Sequence, residues 1–316
     1  MDRKETKLHM MGTIIDLMVD SKSSTSLIEQ LTNDLAIYEK RFNANDPQSE
    51  LMAIHHQAGV APVPVDDALY ELIAIGKAHS LEHPSYLNIA LGPLIKAWHI
   101  GFDDAKKPSD KVITETLKLT QPHLIELCTS DQSVFLPKKG MEIDLGALAK
   151  GYIADRIIST CRNHAVKTAY INLGGNFLSY GPSANRSSGY YRIGIQDPIK
   201  PRGHYVLAVD TFNQSVVTSG IYERQLKQSD KTYHHIFDPK TGYPVETDIV
   251  SLTIISKTSL EGEIWTTRLF GLTSKDALSF VNNLTNIESI IITKDQQVHI
   301  SEGLRDRIVP LNRSIS

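Results

Sequence analysis

Cysteine is nearly missing from this chain: Cys128 and Cys161 are the only two in 316 residues. They have no metal-ligand spacing, and they read as a reduced cytosolic pair or as two small buried hydrophobes. Long apolar runs are also missing. Nothing approaches the roughly 20 residues needed to span a bilayer. Basic residues are scattered, and a formal charge of -3 gives no reason to expect nucleic acid or a membrane surface as partner. The first residues, MDRKETKLHMMGTIIDLMVD, begin too polar for a signal peptide. Their apolar part is short and broken by Asp16, and no nearby cysteine could carry a lipid. There is no repeat, low-complexity tract or long linker. These absences set the expectation of a soluble cytoplasmic protein without a membrane span.

What is present is ordinary for a globular protein, at 41% apolar and 22% charged residues. Thr13 to Val19 has strand character. Ser24 to Arg41 reads as an amphipathic helix with Leu27, Leu31, Leu35 and Tyr38 on one side. Asn43 to Ser49 is a loop, Asp66 to Ser80 a second helix, and Ser109 to Leu127 helical in part. Strands recur at Ala169–Leu173, Tyr191–Ile195, His204–Asp210, Ile249–Ile255 and Ile287–Ile292, with a helix at Ala277–Leu284. A helix-rich first half and a strand-rich second half favour an α+β fold over regular βαβ winding.

The stretch MEIDLGALAKGYIADR, Met141 to Arg156, carries opposite chemical signals. Alternation over Met141–Leu145 suggests a strand, Gly146 breaks it, and Ala147–Arg156 has helical composition. A helix start offers free N–H groups to an anion, and Lys150 in the first turn strengthens that. Asp144, just before the turn, would repel a phosphate. The residues alone leave open which ligand would suit a cation, a helix start and a carboxylate at one corner.

Turn-rich segments follow: NLGGN (Asn172–Asn176), VVTSG (Val216–Gly220) and HHIFDPKTGYPV (His234–Val245). Each alone is compatible with an ordinary loop. Taken in order, they resemble the ApbE family of FAD:protein FMN transferases. The resemblance runs from MMGT (Met10–Thr13) through SEL (Ser49–Leu51), GPLIKAW (Gly92–Trp98) and IDLGALAKGYIAD. It continues through NLGGN, IQDP (Ile195–Pro198), VVTSG and HIFDPKTGYPV to GEIWTTRLFGL (Gly262–Leu272). It implies one large ApbE-type, T-fold-like domain over residues 1–316, with helices packed on a mainly antiparallel sheet.

The resemblance further implies that FAD is a substrate and that a divalent cation, normally Mg2+, is required. The FMN half moves to a Ser or Thr of a target protein through a phosphoester bond, and AMP leaves. Asp144 would hydrogen-bond a neutral part of FAD, unless it only stabilises the helix dipole. Lys150 falls on a FAD-binding position, and Ala147 on the one whose backbone carbonyl binds metal. The family's Ala-Asp-x-x-x-Thr segment corresponds to Gly262-Glu263-Ile264-Trp265-Thr266-Thr267, which makes Glu263 and Thr267 the side-chain metal ligands. Glutamate lengthens that arm by one methylene, so it must bend or bind through water. Arg268 replaces a commonly small residue and would add a cation beside the site.

Met11, Asn45, Ala97, Trp98, His99 and Thr218 also fall on FAD-contacting positions. Trp98 could stack on a ring or belong to the core, and His99 stands where the family usually has Gly. His235 is the candidate general base, because an unperturbed histidine titrates near working pH; His234 is the runner-up. Other histidines, including the His55–His56 pair, read as surface or packing residues. The acceptor would be a protein with a Ser/Thr-Gly-Ala-Thr type segment. This chain has no Gly-Ala-Thr, which argues against self-modification. Rival readings are a FAD carrier without transfer activity and a FAD pyrophosphatase. Shortening the ligand arm by Glu263→Asp is expected to raise activity at limiting magnesium. An unchanged rate across a magnesium titration would remove the idea that the long arm is a handicap.

Overall fold

The computed structural model describes residues 2–228 and 231–311. Its centre is an eight-stranded sheet whose strands lie side by side in chain order. They are Asp2–Met10, Thr13–Ser21, Thr168–Leu173, Asn176–Tyr180, Ser215–Gly220, Ile249–Ser256, Glu288–Thr293 and Val298–Ile300. Every neighbouring pair is antiparallel. The insertions between these strands and the segment after Ile300 build the rest of the molecule.

The first strand was not expected. Asp2–Met10 is polar and largely exposed, an edge strand whose charges discourage pairing with another chain. It turns into Thr13–Ser21 through Met11 and Gly12, with Met10 paired to Thr13 and both turn residues at positive φ, 54° and 66°. That two-residue turn suits the twist of a hairpin, and Gly12 takes its conformation without a side-chain penalty.

The long insertion after Ser21 is mainly helical, with α1 (Ser24–Phe42), α2 (Glu50–His56), α3 (Asp67–Leu81), α4 (Gly92–Trp98), α5 (Asp110–Leu117) and α6 (Ala149–Asn163). It adds a short antiparallel sheet in which Ser133–Phe135 lies between Val63–Pro64 and Glu126–Cys128. Leu27, Leu31 and Leu35 of α1 bury their side of the helix in one core with Ile15, Leu17 and Val19 of the sheet, and α1 packs on α6. Ser49, Asp66 and Ser109 cap α2, α3 and α5 with side-chain oxygens on the second or third backbone N–H. After Tyr180 the chain forms a small sheet, with Tyr205–Thr211 between Tyr191–Gln196 and Ile308–Pro310. After Ser256 it forms α7 (Ser259–Leu269) and α8 (Ser274–Val281).

Ile290 and Ile292 face the small sheet while Ile291 faces α7 and α8. That two-sided burial explains a strand with no polar alternation. The α+β class and the mainly antiparallel sheet hold, and most expected elements are found within a few residues.

The expected strand at Met141–Leu145 is absent. The segment is extended but belongs to no sheet, and the following helix starts at Ala149 after a turn at 146–148. Its alternation is one-sided burial: Met141, Ile143 and Leu145 enter the core while Glu142 and Asp144 are half-exposed. Side contacts hold it in place of a ladder. The Ile143 N–H donates to His55 Nε2 at 2.9 Å, and the Asp144 N–H to the Ile89 carbonyl at 2.8 Å. Burial lowers the pKa of His55 to about 4, so the ring is a neutral acceptor and a packing residue.

Two close approaches fix α7. A Cβ on Gly151 of α6 would lie 2.6 Å from the Ser259 carbonyl oxygen and 2.8 Å from Glu263 Cγ. A Cβ on Gly262 would lie 2.5 Å from Val217 Cγ2 on the sheet. Alanine is normally the better helix former by up to about 1 kcal/mol. Here Gly151→Ala is expected to destabilise by about 1–3 kcal/mol through overpacking. A urea midpoint equal to or above that of the parent would refute this packing account.

Candidate functional site

Glu263 sits on α7 between Gly262 and Ile264 and is only 4% exposed. Its Oε1 accepts from Lys150 Nζ at 3.1 Å and from Asn176 Nδ2 at 2.5 Å. One oxygen thereby joins α7, the start of α6 and the strand after the NLGGN turn. A buried carboxylate requires such partners, because desolvation without them costs several kcal/mol. Asn176 had no role in the sequence reading, although it ends the NLGGN motif.

Thr267 lies one turn further along α7, half-buried, with no partner for its hydroxyl among the described residues. Ala147 is in the turn before α6. Nearby backbone N–H groups bond to the carbonyls of Leu145 and Leu148, leaving the Ala147 carbonyl without a backbone partner among the described residues. A carboxylate, a hydroxyl and a free carbonyl are donors of the type that a hard divalent cation takes. Lys150 supplies positive charge at the same carboxylate. Among the described residues no cluster of three or more His, Cys, Asp or Glu could hold a metal.

His234 ends the strand Lys231–His234 and His235 follows it, and their environments separate them. His234 uses both ring nitrogens to hold its own loop: Nε2 pairs with the Val245 carbonyl at 3.2 Å, and Nδ1 accepts from the Ile236 N–H at 3.3 Å. His235 Nδ1 makes one long contact, 3.4 Å, to the Arg224 carbonyl. With the proton on Nδ1, Nε2 is left as an acceptor. Burial first, then the Arg224 charge, with smaller effects of His234 and Lys150, lower the His235 pKa to about 4. Lys150 therefore lies near His235 as well as on Glu263.

Arg224 was missed by the sequence reading because it belongs to no motif quoted there. Its stem packs on Gly101, where a Cβ would come within 2.9 Å of Arg224 Cδ. Its charge acts on both His235 and Asp144. Asp144 accepts from the Gly146 N–H at 2.9 Å, and burial raises its pKa despite that bond and Arg224. The carboxyl closes its own turn and does not cap α6.

The remaining positions divide. Trp98 is fully buried, donates Nε1–H to the Gly242 carbonyl at 3.0 Å and packs on Tyr233, Phe237 and Tyr243. Of its two readings, burial favours core: it is a post under the loop that carries His235. His99 ends α4 in the left-handed conformation, φ 50°, which explains why glycine suits that position. It stacks on Phe102 and pairs with Asp104. Half-buried Ala97 precedes Trp98 on α4.

The Met11 turn abuts the NLGGN turn, where Gly174 packs against Thr13, and the Met11 N–H bonds Glu39. Thr218 pairs hydroxyls with Thr253 across the sheet at 2.8 Å. Exposed Asn45 makes only a local contact with Asn43 and is not tied to the other candidates by any described bond. Arg268 corrects an expectation. It is 2% exposed and points away from Glu263, bonding Glu82, His79 and the Pro84 carbonyl and covering the Trp265 ring. Its neighbours at the end of α3 neutralise it, so it adds no cation to the site. These residues line neither of the cavities of about 350 and 330 Å³, which lie beside Lys22–Ser26 and beside Gln196–Arg202.

The ApbE family model matches residues 11–291. The chain belongs to the ApbE family. A relative from Klebsiella pneumoniae (strain 342), named FAD:protein FMN transferase, is 39% identical over 96% of this chain and 93% of its own length. One from Treponema pallidum (strain Nichols) with the same name is 34% identical over 95% of this chain and 87% of its own. The fold is shared with the crystal structure of the ApbE protein of Thermotoga maritima, with TM-score 0.88 and 24% identity over 97% of this chain and 99% of that one. In this ApbE chain no described helix is long and apolar enough to cross a membrane.

Because His235 and His55 are held neutral well below the ordinary histidine pKa, folding opposes their protonation. Their contribution is complete above the unfolded value of about 6.5 and is lost as pH falls toward 4, at no more than about 1.4 kcal/mol per pH unit for each group. Urea unfolding between pH 6.5 and 4.5 is expected to show a shallower decline for His235→Ala than for the parent. Parallel curves would contradict the burial of a neutral ring.

Proposed function

We propose that this chain is an FAD:protein FMN transferase that moves FMN from FAD to a Ser or Thr hydroxyl of a partner protein, releasing AMP. The observation that carries the reading is that the charges of Arg224 and Lys150 act on His235, whose Nε2 is left to take a proton, while Lys150 also bonds Glu263. Family membership and two near-full-length relatives bearing that name support it.

Phosphoryl transfer needs positioning and charge neutralisation more than covalent participation by the protein. The acceptor oxygen attacks the phosphorus of the FMN half and forms the new P–O bond. Its proton passes to His235 Nε2. The P–O bond to the AMP phosphate breaks, and the electron pair leaves with AMP. Lys150 and Arg224 face the diphosphate, while Asp144 meets a neutral donor of the flavin or adenosine. Met11, Asn45, Ala97, His99 and Thr218 complete the FAD contacts, and Trp98 supports the His235 loop from beneath. The Ala147 carbonyl, Glu263 and Thr267 would hold Mg2+, which supplies charge neutralisation at the diphosphate. The chain acts as one catalytic unit on an acceptor with a Ser/Thr-Gly-Ala-Thr type segment.

A charged diphosphate close to His235 also answers its low pKa. Two phosphate charges oppose the cations that keep the ring neutral, which raises its proton affinity when substrate is bound.

Incubation with FAD, Mg2+ and a protein bearing the acceptor segment is expected to give covalent, fluorescent acceptor. AMP with free FMN would identify a pyrophosphatase, and intact bound FAD a carrier. His235→Ala is expected to keep FAD binding within a few-fold and to abolish transfer, and Arg224→Ala to weaken FAD binding. Retained transfer in His235→Ala would eliminate the proposed base.

A further inference from the structure

Asp155 has no role in the chemistry above, although it ends the IDLGALAKGYIAD segment. It lies four residues after Gly151, so both face the same neighbour from α6. Gly151 meets the Ser259 carbonyl and Glu263 Cγ. The Asp155 carboxylate accepts from the Ser259 N–H at 2.7 Å and from the Leu260 N–H at 2.9 Å. These are the first two backbone donors of α7. The third, at Glu261, goes to Thr258 Oγ1 in a reciprocal capping box with the Glu261 side chain. The capping box at Thr258 thus takes the third donor, and Asp155 takes the first two from another helix, as an inter-helix tether. Ser259 is one turn, about 5.4 Å, from Glu263.

We infer that Asp155 is a positioning residue that sets the height of α7 against α6, and so places Glu263 and Thr267 opposite the Ala147 turn for the divalent cation. Gly151 sets how closely the helices approach, and the two N–H bonds set where along α6 the first turn of α7 stops. Burial raises the Asp155 pKa to about 6, ahead of the opposing backbone bonds, which marks a carboxylate kept in a costly place. The Thr258 box caps α7 from its own segment, whereas Asp155 reaches the first two donors from α6 and so ties the two helices together.

The inference rests on the metal reading of Glu263, and the test separates the two. Mn2+ binding to the full chain without FAD is titrated by electron paramagnetic resonance, so activity is not the readout. Asp155→Asn keeps the volume but turns an amide donor toward a backbone donor. It is expected to weaken Mn2+ binding ten- to a hundredfold, the usual range for a residue supporting a metal ligand. Metal-free FAD binding should stay within twofold, and Asp155→Glu should recover part of the loss. Thr258→Ala should lower thermal stability with little effect on Mn2+. Hydrogen exchange at the Ser259 and Leu260 amides is expected to accelerate in Asp155→Asn. If Glu263→Gln abolishes Mn2+ binding while Asp155→Asn leaves it within twofold, the positioning role is overturned alone. If Glu263→Gln has no effect, the metal reading and the positioning role both fall. Equal losses of Mn2+ affinity in Thr258→Ala and Asp155→Asn would reduce Asp155 to an ordinary cap and overturn the inference.

Discussion

A carboxylate that has left water must find its compensation inside the protein, and Glu263 is that carboxylate here. Its Oε1 meets the Lys150 ammonium and the Asn176 amide at once. These partners come from elements far apart in the chain, so a single desolvated oxygen specifies how α6, α7 and the sheet come together. Two glycines make that arrangement possible. Gly151 lets α6 approach the α7 backbone, and Gly262 lets α7 approach Val217 on the sheet. Glu263 carries one methylene more than the aspartate expected from the family. It spans from α7 to both partners.

Around this carboxylate the charges are sorted. Lys150 and Arg224 place positive charge near a histidine that burial keeps neutral, an arrangement suited to a diphosphate and a proton acceptor in one place. Arg268 would have added a third cation but is neutralised at the end of α3 by Glu82. His234, next in sequence to His235, is committed at both ring nitrogens to its own loop. Neighbours in sequence thus take opposite roles because hydrogen-bond partners, not residue type, decide which ring nitrogen stays available.

The supporting parts are ordinary packing. Trp98 fills the small core under the His235 loop and fastens it at Gly242, and His55 holds the Asp144 segment through Ile143. The candidate site draws on loops, the start of α6 and the body of α7, while buried aromatic and imidazole rings lie behind its loops.

Sequence alone determined the helix-rich and strand-rich halves, because burial on one face imposes a period of 3.6 or 2 wherever a segment lies on a core. It also brought out the ordered motifs that carry His235, Lys150, Glu263 and Thr267. Only tertiary structure decided what those patterns could not encode. Alternation at Met141–Leu145 reports one-sided burial and says nothing of pairing, so a strand and an extended strap look alike. Polar Asp2–Met10 becomes a strand because its partner, not its own pattern, supplies the ladder. Arg224, Asn176 and Asp155 gain their significance from neighbours 11, 87 and 104 positions away in sequence. The direction in which Arg268 turns depends on a carboxylate 186 positions off. Such contacts are set by how whole elements pack, and no local spacing carries that information.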